Sequence, residues 1–194
     1  MQIATPTPGL HIDEVMNNAA AAFGVFHQYT QEQVDAVVKA VYHAGFNARV
    51  SLAELAHQET RLGVVKDKVV KNIIATRYVY GDIAKLKTVG IVSEDEESGI
   101  VEIAQPIGPI FCVTPITNPT STVLFKILIA LKTRNPIIIR PHGAARKCSI
   151  EAARSRVAQL SGGKIGYIHI SAMGGGNYRQ FDAEQRGFAL RVNG

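Results

Sequence analysis

GPIFCVTPITNPTSTVLFKILIALKTRNPIIIRPH, residues 108 to 142, decides how this chain is read. Its first part, up to Pro115, is apolar and uncharged, the composition of a strand buried on both faces. NPTST then opens a helix over Val123 to Lys132, NPIIIRPH forms a second apolar strand, and a second helix is expected from Ala144 to Gln159. A strand, helix, strand, helix order places two strands in parallel with a right-handed crossover, and ligands bind such sheets at the carboxyl ends of the strands. Asn118 falls at one such end, and Arg140 and His142 at the next, so three polar groups are expected around one crevice. A second reading of Asn118 needs no ligand: it caps the helix, with Pro119 in the first turn.

Towards the amino terminus the apolar period changes to that of helices. Ile12, Val15, Met16, Ala19, Phe23 and Phe26 recur at three- and four-residue steps. Thr30 with Gln33 matches a capping box ahead of the stripe Val34, Val37, Val38 and Val41. Ser51 with Glu54 repeats the pattern before Leu52, Leu55 and Ala56, Gly63 reads as a terminator, and a longer helix is expected from Val65 to Leu86. TVGIV and GIVEIAQ flank the acidic turn SEDEES and read as a hairpin. Glu94, Asp95, Glu96 and Glu97 on that turn point in different directions and read as solvated, not as a metal site. The organisation expected is a helical part (1–88), a hairpin segment (89–105), a β-α-β-α unit (106–160) and a divergent tail (161–194).

Composition narrows the classes of function. The 194 residues are 46% hydrophobic and 19% charged, enough for one sizeable core. No apolar run approaches the roughly 20 residues of a spanning helix, and MQIATPTPGL lacks the features of a signal peptide, so a soluble cytoplasmic protein is expected, with no membrane partner. Cys112 and Cys148 lie far apart without CxxC spacing or adjacent histidines, which argues against a disulfide framework or a zinc site. His27, His43 and His57 lack ligand spacing and read as packing or surface residues. The net charge of +5 is spread along the chain without aromatic interleaving, so nucleic acid is not an expected partner.

Three runs together carry a resemblance: TQEQVDAVVKAVYHAGFNARVSLAELAHQETRLGVVKDKVVKN (30–72), SEDEESGIVEIAQPIGPI (93–110) and TPITNPTSTVLFKILIALKTRNPIIIRPH (114–142). They resemble the aldehyde dehydrogenase superfamily over residues 15 to 159. More closely, they resemble the amino-terminal part of the CoA-acylating aldehyde dehydrogenase module of bifunctional aldehyde-alcohol dehydrogenases. The resemblance implies an α/β fold, with a helical amino-terminal layer and a partial Rossmann-like parallel sheet of the aldehyde dehydrogenase type. It implies NAD as cofactor, with an aldehyde and CoA as partners of the complete enzyme. Asn118 in Thr117-Asn118-Pro119 is then the oxyanion donor. Thr114, Pro115, Ile116 and Thr117 would line the nicotinamide side of the cleft. Arg140 stands where many members carry a lysine that reaches the adenosine ribose, and His142 lies beside it.

The same resemblance implies a gap. The family's nucleophile is a cysteine thiolate located beyond position 159, and neither Cys112 nor Cys148 matches it. The expectation is an amino-terminal piece of an enzyme, inactive alone. The alternative is a truncated or fused pseudo-enzyme that acts as a binding module and self-associates through exposed sheet edges. In the tail, KIGYIHI suits a third strand of the same sheet. KIGYIHISAMGGGNYRQF with ALRVNG resembles the core of tricorn-like, carboxy-terminal-processing serine peptidases, without their catalytic serine. Gly174, Gly175 and Gly176 lack the dinucleotide spacing and read as a turn.

Overall fold

Thr30 starts a helix because two side chains satisfy two backbone donors reciprocally. The Gln33 N–H donates to Thr30 Oγ1 at 3.4 Å and the Thr30 N–H to Gln33 Oε1 at 2.9 Å. The computed structural model describes residues 8–154 and 168–169. Its first helices are α1 (Pro8–Phe26), α2 (Gln31–Asn47), which Thr30 caps, and α3 (Arg49–Thr60). The expected cap at Ser51 is not formed. Ala48 closes α2 and opens α3 at once, leaving no extended residue between them, and the Ser51 hydroxyl donates to Ala48 O at 3.1 Å inside the first turn. The terminator is Arg61, in the left-handed region at φ 57°, two residues before Gly63.

The long helix expected from Val65 is α4 (Val65–Ile73), which passes through a π-helical turn, Ile74–Tyr78, into α5 (Val79–Ile83). Within it the Thr76 hydroxyl donates to Asn72 O at 2.6 Å, and a hydroxyl set into the backbone ladder favours such a widened turn. In α1, Val15, Ala19 and Phe26 are buried, whereas Ile12 and Met16 are exposed. That stripe is narrower than its periodicity predicts: Val15 and Ala19 pack with Ile138, while Ile12 and Met16 face solvent.

The hairpin is β1 (Gly90–Asp95) and β2 (Ile100–Ala104), antiparallel, with Gly90 opposite Ala104 and Asp95 opposite Ile100. Asp95 closes its turn by accepting from the N–H groups of Glu97 and Ser98 and from the Ser98 hydroxyl. No cluster able to hold a metal ion occurs among the described residues. The second sheet is parallel, in the order β3 (Ile110–Val113), β4 (Ile137–Arg140), β5 (Ile168–His169). Within KIGYIHI, Ile168 and His169 thus form the third strand. The crossover between β3 and β4 is α6 (Pro119–Lys132), and a 3-10 turn at Gly143–Ala145 leads from β4 into α7 (Arg146–Arg154).

One expectation about β3 fails. It is buried on one face only: Cys112 faces the core, but Phe111 and Val113 are each 55% exposed. Among the described residues β3 pairs only with β4, and the packing of α1 at Ile138 leaves the neighbouring β3 uncovered.

The core lies between α2, α3, α6 and the covered face of the sheet, with Val34, Val38, Leu52, Leu128 and Ile139 almost completely buried. The end of α6 is anchored by polar side chains. Asn135 Oδ1 accepts from the N–H groups of Ile107 (2.8 Å) and Gly108 (3.0 Å), and buried Lys132 donates to Asp35 (2.5 Å) and Ala84 O (3.0 Å). These bonds fix the approach to the amino end of β3 beside β4 and the carboxyl end of α6 against the helical layer.

Candidate functional site

The turn between β3 and α6 carries most of the residues singled out from the sequence. Past the end of β3, the Thr114 N–H still donates to Arg140 O at 3.0 Å, so the parallel ladder runs one step further and buries Thr114. Its hydroxyl lies 3.4 Å from the same carbonyl. Pro115 is exposed, and Ile116 turns inward against Ala56, Ala145 and Cys148. Thr117 and Asn118 then lead to Pro119, which occupies the first helical position of α6.

Asn118 stands at the N-cap position, but its side chain makes no capping bond. Its oxygen is bonded elsewhere: Lys71 Nζ donates to Asn118 Oδ1 at 2.8 Å, and the Asn118 backbone, at φ −132° and ψ 54°, departs from the extended conformation from which Thr30 caps α2. Nδ2 of the same amide lies 3.4 Å from Thr117 Oγ1. The cap reading therefore holds for the backbone alone, with Asn118 O accepting from the Thr122 N–H at 3.1 Å.

Three side chains of α4 hold this corner, at a spacing that places them on one helical face. Lys68, only 5% exposed, donates to Thr117 O at 3.0 Å. Lys71 holds Asn118. Asn72, fully buried, donates to Arg49 O at 2.9 Å and accepts from the Thr120 hydroxyl at 3.0 Å. Burial, with the nearby Lys71 ammonium, pushes the Lys68 pKa below the ordinary lysine value. None of these three residues was singled out from the sequence. The available signal was KVVKN itself, residues 68 to 72, because a buried asparagine between apolar positions needs partners.

At the end of β4, Arg140 is half-buried, and its Nε is buried without a hydrogen-bond partner. His142 is exposed and caps the 3-10 turn: its Nδ1 accepts from the Ala144 N–H at 3.2 Å, which leaves the ring proton on Nε2. Val113 pairs with Arg140, so Asn118 and the Arg140–His142 segment follow the carboxyl ends of adjacent strands. The amide of Asn118 nonetheless bonds towards α4, not towards Arg140 or His142.

Neither cysteine has the environment of a nucleophile. Cys112 is buried in the core and its thiol is pushed up by burial. The Cys148 thiol is pushed up to about 12, first by burial and then by the hydrogen bond and charge of Glu59. That carboxylate accepts from the N–H groups of Lys147 and Cys148 at the start of α7. A reactive thiolate needs the opposite setting, electropositive and accessible.

Residues 6–159 match the aldehyde dehydrogenase family. The chain belongs to that family. It is 44% identical over 162 residues to aldehyde-alcohol dehydrogenase 2 of Entamoeba histolytica, covering 82% of this chain and 19% of that protein. To the bifunctional aldehyde-alcohol dehydrogenase of Escherichia coli it is 47% identical over 128 residues, covering 66% of this chain and 14% of the other. Among solved structures it is similar to an acetylating aldehyde dehydrogenase from Geobacillus thermoglucosidasius, with 40% identity and a TM-score of 0.76, covering 81% of this chain and 34% of that one. The chain thus spans a fifth or less of the bifunctional relatives it matches. The β3–α6 corner of this aldehyde dehydrogenase chain lies inside the matched region. The peptidase-like stretch, residues 164 to 194, lies outside the described residues except for Ile168 and His169.

Proposed function

We propose that this chain is the cofactor-side part of an NAD-dependent, CoA-acylating aldehyde dehydrogenase, and that it does not turn over by itself. The observation that carries the reading is the Asn118 amide at the carboxyl end of β3, with its oxygen held by Lys71 and kept out of the helix cap. In this orientation Nδ2 is the donor end: one of its hydrogens lies towards Thr117 Oγ1 at 3.4 Å, and the other is left to donate. A fixed neutral donor aimed at an aldehyde oxygen stabilises the negative charge that develops there, a contribution of about 3 kcal/mol in comparable sites.

The residues at the end of β4 fit a dinucleotide. Arg140 offers a buried, unpartnered Nε and a fork of donors suited to ribose or phosphate oxygens, and His142 offers Nε2–H. NAD, when bound, supplies the hydride acceptor. The backbone of Thr114, Pro115 and Ile116, with Thr117, lines the approach from β3 on this reading. The chain's own cysteines cannot attack an aldehyde, because Cys112 and Cys148 are buried with raised thiol pKa values.

Calorimetric titration of the 194-residue chain with NADH tests this. Saturable binding is expected, weakened about tenfold by Arg140→Ala, the factor that loss of one charge-assisted hydrogen bond represents. No NADH should form from a short aldehyde, CoA and NAD. Absence of binding at millimolar cofactor, or sustained NADH formation by the isolated chain, would overturn the reading.

A further inference from the structure

The three contacts that α4 makes with the β3–α6 corner differ in what they leave free. Lys68 holds a backbone carbonyl, Thr117 O, and Asn72 holds the Thr120 hydroxyl, contacts that any docked helix could use. Lys71 instead holds one end of a primary amide. Such an amide has an acceptor end and a donor end, exchanged by a half-turn about its terminal bond. An ammonium has donors only, so Lys71 can bind only Oδ1, and Nδ2 must then face elsewhere.

Without that ammonium, Oδ1 would be available to the N–H groups of Thr120 or Ser121, the usual targets of an N-cap asparagine. The amide would then serve the helix. We propose that Lys71 is the positioning residue of Asn118: it sets the orientation of the amide, keeps Oδ1 out of the α6 cap, and leaves Nδ2 to donate to a substrate oxygen. This inference rests on the reading of Asn118 as an oxyanion donor.

Two further observations agree with it. A charge-assisted bond to Oδ1 polarises the amide and makes Nδ2–H a stronger donor. Lys68 and Lys71 both end on neutral oxygens, Thr117 O and Asn118 Oδ1, so these contacts leave their positive charge uncancelled beside the amide. Lys71 is exposed, unlike Lys68, so its replacement removes the bond without opening a cavity.

The test is chemical shift, hydrogen exchange and 15N relaxation of amides in the full 194-residue chain, with the Asn118 signal identified by its loss in Asn118→Ser. In Lys71→Met the Asn118 Oδ1 is expected to turn to the α6 cap, read as moved Asn118 side-chain shifts together with slowed hydrogen exchange at the Thr120 or Ser121 N–H, and in Lys71→Arg both are expected to keep their wild-type values. The Asn72 amide, bonded to Arg49 O from the same helix, should keep its order in both variants. Asn118 side-chain shifts and Thr120 and Ser121 N–H exchange that are unchanged in Lys71→Met overturn the proposal. So does parallel loss of order at Asn72, which would make Lys71 a prop for α4 and nothing more. NADH titration of the same samples separates the two readings. A Lys71-dependent amide in a chain that binds no NADH supports the positioning and sinks the functional reading; NADH binding with an indifferent amide does the reverse.

Discussion

Cys148 shows how one buried residue makes stability depend on pH. Its folded pKa is raised from an ordinary value of 9.0 to about 12. Below pH 9 both states hold the proton and the contribution is fully present. Between pH 9 and 12 the unfolded chain releases a proton that the folded chain keeps, so stability falls as pH rises, by about 1.4 kcal/mol per pH unit. Urea midpoints measured at pH 8 and pH 10.5 should therefore decline more steeply for the wild type than for Cys148→Ala. Equal slopes would show that the thiol is not held neutral. The sequence showed only that Cys148 lies on a helix and away from the family's nucleophile; the Glu59 carboxylate beside it comes from α3, which only the fold brings near.

Among the elements, the contact of α2 with α6 is the tightest constraint. Gly45 is buried within α2, and a Cβ there would lie 2.8 Å from Leu124 Cδ2 and 3.2 Å from Thr76 Cγ2. Alanine would gain helix propensity and lose packing, two effects of similar size. Valine adds bulk without that gain. Gly45→Val should cost about 2 to 3 kcal/mol, read as a lowered urea midpoint with an unchanged slope. A variant as stable as the wild type would mean that α2 and α6 can move apart freely. The helices themselves were legible, since the Thr30 capping box and the valine stripe of α2 rest on neighbours three and four residues away. The π-helical turn was not, because it forms where Thr76 packs beside Gly45 and α6.

For the molecule as a whole, the uncovered side of β3 is the main anomaly. A parallel sheet normally has both faces covered, yet Phe111 and Val113 are 55% exposed, Ile107 is 85% exposed, and the hairpin adds Ile100, Val101 and Ile103. A surface of this kind promotes association. Sedimentation velocity should show concentration-dependent self-association of the chain, reduced by Phe111→Lys. A monomer at all concentrations, or association indifferent to that substitution, would remove Phe111 from any interface.

The sequence by itself determined the order of elements, the parallel pairing across Asn118 and the family to which the chain belongs. These depend on apolar periodicity, caps and motifs that are local in the chain. Tertiary structure alone decided that Asn118 does not cap α6, that Lys68, Lys71 and Asn72 hold its corner, and that β3 is covered on one face only. The outcomes at Asn118 depend on residues 47 to 49 positions apart, such as Lys71 and Asn118. A donor arriving from another helix competes for an oxygen that local rules assign to the cap, and nothing within a few residues of Asn118 reveals that competitor.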